Sequence, residues 1–387
     1  MSIEKFITKT VPFRFAGTDM KLNLSQGLFS GFEVDKGSQL LLKSLAQKWT
    51  PPDHGRVADL GCGVGTLGLA IKNKWPTLSI EAVDRDALAT AFTKINAKLN
   101  KLEITCRTEL GMENPEGDFD LVVSNLPAKA GTTVLTHFLG QMAARLKPEG
   151  RMAVVIVTPL AQWLSDKILE LGGFILHEEE THNHKVFHFT LGKQILGVDL
   201  DPYLRTHSRV KKSGIFFDLQ TVYGLPNFDT LDYELELGLG LLKKWESVSG
   251  STLFWNPGQG HLPLVLGKKL KHHKVILAGR DFLSLRITRS NLSACAPMDI
   301  DINPTPCWSE LRERGVQQAV ILWEKTPQVK EEEIFWETLG TIMAPASRVL
   351  IISKSHDIQD LIKTKRGWPI VESPKHKGMR ALMVERS

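Results

Sequence analysis

The stretch Arg56-Val-Ala-Asp-Leu-Gly-Cys-Gly-Val-Gly65 decides the fold. A short apolar run of buried-strand length meets glycines at 61, 63 and 65, and a segment with helical spacing follows. A strand that turns into a helix through glycines leaves bare backbone where a ligand must touch it. Asp84 ends the next expected strand, about 20 residues beyond the last glycine, where a carboxylate can accept hydrogen bonds from both ribose hydroxyls of a nucleoside cofactor. Asp59 stands two residues before Gly61. No Gly-Lys-Ser/Thr follows, so a phosphate-binding P-loop is not supported. Taken alone, the three glycines read better as a tight strand-to-helix turn.

Outward from this loop, Val57–Leu60, Ser79–Val83, Leu121–Ser124 and Met152–Val157 have strand length and alternate with the helical segments Ala87–Leu99 and Thr133–Leu146. Phe174–Glu180 and Lys185–Leu191 suggest a closing hairpin. Such alternation predicts an α/β fold with a mostly parallel sheet covered by helices on both faces.

The chain also resembles itself at a shift of about 197 residues: Asp35-Lys-Gly-Ser-Gln-Leu-Leu-Leu42 falls on Asp232-Tyr-Glu-Leu-Glu-Leu-Gly-Leu239, Gly61-Cys-Gly63 on Gly258-Gln-Gly260, and Asn96 on Asn291. The expected plan is two tandem Rossmann-like domains, 1–195 and 196–387, with Thr252–Trp255, Lys274–Ala278, Ala319–Trp323 and Arg348–Ser353 as strands of the second. Gly192–Asn227 is read as the junction and lead-in.

At 387 residues the chain is long enough for two cores, and 42 % hydrophobic with 24 % charged residues is the balance of a folded soluble protein. Its apolar runs are far shorter than the about 20 residues that span a bilayer. The start, Met1-Ser-Ile-Glu-Lys-Phe6, lacks a signal-like apolar core, so a cytoplasmic location is expected. The four cysteines form no CxxC pair and read as reduced thiols rather than a metal site. A net charge of +5 mildly favours a polyanionic partner.

Four segments carry a family resemblance: Leu24-Ser-Gln-Gly-Leu-Phe-Ser30, Asp35–Leu42, Val57–Gly65 and Ser124-Asn-Leu-Pro-Ala-Lys-Ala-Gly131. Together they resemble the small-subunit ribosomal RNA guanine-N2 methyltransferases. The resemblance implies S-adenosylmethionine as cofactor, held by Asp59, Gly61, Gly63, Gly65 and Asp84, with Glu109 against the adenine. Ser38 and Gln39 fit either the cofactor pocket or a helix cap.

An exocyclic amino group is a poor nucleophile because its lone pair is delocalised into the ring. In the Asn-Pro-Pro-aromatic motif of amino-methyltransferases, the Asn oxygen and the next carbonyl accept both amino hydrogens and turn the lone pair toward the methyl donor. Carried over, Asn125 and the Leu126 carbonyl are the acceptors and Pro127 fixes the loop. Leu126 replaces the first proline and leaves the carbonyl intact. Ala128 stands where the motif has the aromatic that stacks on the base, as in some other members.

The implied activity is methyl transfer to guanine N2 of ribosomal RNA or of an assembling subunit. Adenine N6, a protein glutamine amide, or a non-catalytic RNA-binding or assembly role are the alternatives. His177, His182, His184 and His188 fit hairpin positions better than a metal site. In the second half Gly279 matches Asp84, the region Trp323–Lys325 matches Asn125–Pro127, and Asn256–Leu262 lacks the third glycine. That half is read as degenerate, either a scaffold or an RNA-positioning domain using Arg205, Arg209, Lys211, Lys212 and Lys268–Lys274. In the best-known relatives the degenerate half comes first.

Overall fold

The computed structural model describes residues 3–29, 31–113, 117–192, 200–212, 214–246, 249–267, 270, 274–295 and 297–386. The chain divides into two compact units, Phe6–Pro202 and Tyr203–Ser387, the latter with Met1–Lys5. The expected boundary at 195/196, residues 268, 269 and 271–273, and the Lys212 side chain lie outside the described residues.

The first unit runs β1 (Lys9–Phe15), β2 (Thr18–Leu24), α1 (Lys36–Lys48), β3 (Arg56–Leu60), α2 (Thr66–Lys74), β4 (Ser79–Asp84), α3 (Ala87–Leu99), β5 (Thr105–Thr108), β6 (Phe119–Asn125), α4 (Thr132–Ala144), β7 (Leu146–Val157), α5 (Ala161–Glu170), β8 (Phe174–Glu180) and β9 (His184–Thr190). Its main sheet has the order β5-β4-β3-β6-β7-β9-β8. The strands from β5 to β7 pair in parallel, and β9 and β8 close the sheet antiparallel. Chain order reverses between β3 and β6, which opens a crevice at their carboxyl ends.

The second unit runs β10 (Leu204–Lys212), β11 (Ile215–Val222), α6 (Tyr233–Lys244), β12 (Thr252–Trp255), α7 (His261–Gly267), β13 (Lys274–Gly279), α8 (Phe282–Cys295), β14 (Asp299–Pro304), β15 (Val316–Leu322), α9 (Glu332–Ile342), β16 (Met343–Lys354), α10 (Ser355–Thr364), β17 (Ile370–Glu372), β18 (Lys375–His376) and β19 (Met379–Glu385). Its sheet order, β14-β13-β12-β15-β16-β19-β17 with β18 on β19, repeats that of the first unit. The likeness extends to side-chain burial, since β7 and β16 alternate buried and exposed positions identically until their last residue.

The hydrogen bonds correct the register in which the two halves were compared. Gly61 N donates to Val83 O at 2.8 Å, and Asn256 N donates to Ala278 O at 2.9 Å. The next two glycines correspond as well, because Thr93 and Thr288 Oγ1 donate to the carbonyls of Gly63 and Gly258. Gly61 is therefore matched by Asn256, not by Gly258, and the second loop lacks the first glycine rather than the third. Asn256 adopts φ +51°, and Asn is among the few side chains that tolerate this region.

The same reasoning moves the Asn125 match by one residue. Leu126 N donates to Val155 O and Trp323 N to Ile352 O, each at 2.9 Å, so Asn125 faces Leu322 and not Trp323. Strand β15 accordingly ends at Leu322, one residue earlier than expected.

Two hairpins were not foreseen. β1 pairs with β2 and β10 with β11, each as a separate two-stranded sheet. Each is strapped to its unit by an asparagine: Asn96 exchanges hydrogen bonds with the Asn23 backbone, and Asn291 with the Gln220 backbone. Among the described residues, no helix is long and apolar enough to cross a membrane.

Candidate active site

Gly61, Gly63 and Gly65 have φ of +76°, +57° and +86°, values that L side chains rarely adopt. A Cβ on Gly61 or Gly63 would meet no atom within 4 Å, so open space faces the loop. Gly65 caps α2. Gly61, Gly63, Asp59, Ser38 and Asn125 line one cavity of about 60 Å³, together with Phe29, Asp35 and Cys62.

Asp59 is fully buried on β3. Its Oδ2 accepts the Gly68 amide in the first turn of α2 at 2.8 Å, while the buried Oδ1 has no partner. Burial, only partly offset by the Gly68 bond and reinforced by Asp84, pushes its carboxyl up to about 7. A carboxylate oxygen left bare on a cavity wall is a socket for a cationic donor.

Asp84, at the end of β4, is held from both sides: Oδ2 accepts Gly63 N at 3.0 Å and Oδ1 accepts Asp86 N at 2.9 Å. Burial and the Asp86 charge push it up to about 6. Glu109 follows β5, and its amide donates to Asp84 O at 3.1 Å, which sets it beside the end of β4. Cys62 is a poor nucleophile, because burial and the charges of Asp84 and Asp59 raise its thiol pKa.

Asn125 closes β6 on the other side of the crevice. Its Nδ2 donates to Asp35 Oδ2 at 2.7 Å and to Ser38 Oγ at 3.1 Å. A carboxylate only accepts, so this contact fixes which end of the amide faces Asp35 and turns Oδ1 the other way. Asp35 is also the cap of α1 and accepts Ser38 N at 2.7 Å. Ser38 thus serves at the cavity, whereas Gln39 bonds Val34 O at 2.9 Å and lines a separate groove of about 660 Å³ with Phe13, Lys43 and His184.

Leu126 is buried, and Pro127 leads into the single helical turn Ala128–Ala130, its carbonyl accepting Ala130 N at 2.8 Å. Asp35 escaped the site assignment from sequence. It was legible as a helix cap, but its bond to a residue 90 positions away was not.

Of the hairpin histidines, His188 is buried against Ser44 Oγ at 3.0 Å, and burial drives its pKa down to about 3. Among the described residues no group of three or more His, Cys, Asp or Glu side chains is placed to hold a metal ion.

Residues 19–172 match the methyltransferase small domain family. Ribosomal RNA small subunit methyltransferase C of Psychromonas ingrahamii is 32 % identical over 151 residues, 38 % of this chain and 42 % of that protein. The protein of the same name from Pasteurella multocida is 33 % identical over 141 residues, 35 % of this chain and 42 % of its own. This chain therefore spans about two fifths of the length of these curated relatives. The T. thermophilus 16S rRNA N2 G1207 methyltransferase, solved with AdoMet and guanosine, shares the fold over 99 % of both chains with a TM-score of 0.65 and 19 % identity.

Proposed function

We propose that this chain, whose residues 19–172 belong to the methyltransferase small domain family, transfers a methyl group from S-adenosylmethionine to guanine N2 of ribosomal RNA. The observation that carries the reading is the pinned amide of Asn125, whose Nδ2 is committed to Asp35 and Ser38. Oδ1 is left to accept an amino hydrogen from a planar substrate, and the Leu126 carbonyl accepts the second. The nitrogen lone pair then turns out of conjugation, and pre-set orientation lowers the barrier.

The residues on the other side suit the cofactor. The bare Asp59 Oδ1 matches an ammonium group, the Asp84 carboxylate held by Gly63 matches vicinal ribose hydroxyls, and Gly61 and Gly63 admit a close backbone approach. Glu109 stands beside Asp84, where the adenine belongs. The cofactor supplies an electrophilic methyl carbon on a sulfonium, so the protein needs no nucleophile of its own.

RNA as the substrate class is supported by the second unit as well. Arg205, His207, Arg209 and Lys211 recur at alternate exposed positions of β10. Arg209 and Lys211 lie 5.8 and 5.3 Å from the ring centre of exposed Phe216, and Arg205 lies 5.3 Å from that of Tyr223. Cations set on aromatic faces suit single-stranded RNA. Lys274, engaged with Asp301 at 2.5 Å, and Arg205, 3.3 Å from Asp229, are less suited to that role than Arg209 and Lys211.

Incubation with labelled S-adenosylmethionine and undermethylated ribosomal RNA, followed by nucleoside analysis, tests the reading. Label in N2-methylguanosine is expected. Equal transfer by Asn125→Ala, or label only in adenosine or protein, overturns it.

A further inference from the structure

The half-buried Ala128 offers a methyl where an amino-methyltransferase motif places a stacking ring, so the substrate base needs another flat surface. The segment Ser25–Phe29 supplies one. Phe29 is 73 % exposed, yet it lines the same cavity as Asn125, Asp35 and Ser38. A single exposed phenylalanine is unremarkable on most surfaces. One on the wall of the crevice that holds the amide acceptor has a use.

The loop is folded to present this ring. Leu28 N donates to Ser25 O at 3.0 Å and Gly27 N to Ser25 Oγ at 3.3 Å, with Ser25 fully buried. Gly31 packs so closely that a Cβ there would lie 2.4 Å from Ser25 O. The second unit supplies an internal control. In the register set by Asp35 with Asp232 and Asn23 with Gln220, Gly27-Leu28-Phe29 falls on Gly224-Leu225-Pro226. The glycine and leucine persist, and the ring is lost together with the acceptor Asn125, which is matched by Leu322.

We propose that Phe29 is the stacking platform for the substrate base, in place of the aromatic that Ala128 lacks. This rests on the reading of the site as one that takes a planar nucleobase. The ring lies against one face of the base while Asn125 and the Leu126 carbonyl hold its amino edge. Phe29 thus governs substrate affinity and not cofactor affinity.

The full chain is tested in two assays: methyl transfer to undermethylated ribosomal RNA, and fluorescence anisotropy with a short oligoribonucleotide carrying one guanine. Base–aromatic stacking sets the scale, so F29A and F29L are expected to weaken oligonucleotide binding and to raise KM about tenfold or more. F29Y retains both, and adding A128F to F29A restores them. Calorimetric affinity for S-adenosylmethionine and the melting temperature stay at wild-type values throughout.

Oligonucleotide binding that F29A and F29L leave unchanged overturns the platform, as does a loss that follows cofactor affinity. Wild-type oligonucleotide affinity that does not fall when the guanine is replaced by an abasic ribose overturns it too. Guanine-dependent binding through Phe29 without any methyl transfer keeps the platform and overturns the enzymatic reading instead.

Discussion

At the ends of β3 and β12 the two units build the same turn from different side chains. Gly61, Gly63 and Gly65 stand at φ +76°, +57° and +86°, and Asn256, Gly258 and Gly260 at +51°, +61° and +94°. The bonds that fix the turn persist in both, and Asp35 is kept as Asp232, yet the other ligand-facing polar groups of the first unit have different counterparts in the second. Asp59 is matched by Phe254, Asp84 by Gly279, Ser38 by Leu235, Glu109 by Thr305 and Asn125 by Leu322. Backbone geometry is held by the fold, whereas a buried carboxylate costs free energy that the Gly68 bond to Asp59 offsets only in part.

The second unit also builds larger rings into the core cluster that corresponds to Leu60, Met112 and Leu126 of the first. Trp308 lies 5.1 Å from both Trp255 and Phe335, and Trp323, the counterpart of Leu126, lies 4.7 Å from Phe335. A Cβ on Gly279 would stand 2.6 Å from Asn256 Oδ1, so the lost glycine and the lost aspartate are coupled changes.

This contrast can be broken most forcefully at Phe254, which is 1 % exposed. Phe254→Ala is expected to destabilise the second unit by about 3–5 kcal/mol through lost burial and a residual cavity, measured by denaturant unfolding. A cost below about 1 kcal/mol would mean that Phe254 is not the packing replacement for Asp59.

Next in size is Asn125→Ala, expected to slow single-turnover methyl transfer by about 100-fold or more, on the scale of a lost preorganised polar group. Affinity for S-adenosylmethionine should persist, and Leu322→Ala should leave the transfer rate unaltered once folding is verified. Comparable losses from both would erase the distinction between the units.

Asp84 gives a smaller, graded effect. Its carboxyl titrates near 6, and only the ionised form accepts from both ribose hydroxyls. Cofactor affinity should therefore fall about tenfold per pH unit below about 6, by calorimetry, and flatten in Asp84→Asn. A flat profile in the wild type would remove Asp84 from the cofactor site.

The smallest effect concerns Asp59 and stability. Because its folded pKa is raised from 3.8 to about 7, the folded state binds a proton more tightly than the unfolded chain does. Its contribution to stability is thus lost as pH rises through that window. Asp59→Asn keeps an oxygen for Gly68 N, should remove this part of the pH slope between 4 and 7, and should match or exceed the wild type in melting temperature at pH 8 while binding the cofactor more weakly. A melting temperature several degrees lower at pH 8 would contradict the origin assigned to the raised pKa.

Much of the site could be read one residue at a time. The glycines, Asp59, Asp84 and Asn125 lie at strand ends that periodicity finds, and α3 occupies Ala87–Leu99 as its spacing predicts. β10 escaped because Arg205, His207, Arg209 and Lys211 alternate with a face on which Thr206 and Ser208 interrupt Leu204 and Val210, and β11, whose Ile215, Phe217 and Leu219 do alternate, fell within the stretch read as a junction. The loop register went astray because glycine matches glycine in an alignment, while the backbone asks only for a residue that tolerates positive φ. Asn256 meets that requirement.

The sequence by itself determined the parallel α/β plan, its repetition, and the kinds of side chain the first crevice carries, because strand, helix and turn preferences act over a few neighbouring residues. Only the tertiary structure decided how those side chains are set: the Asp35 and Ser38 bonds that orient Asn125, the unpaired oxygen of Asp59, and the ring of Phe29 on the same wall. Each depends on distances between segments far apart along the chain, fixed when the sheet closes and its helices pack.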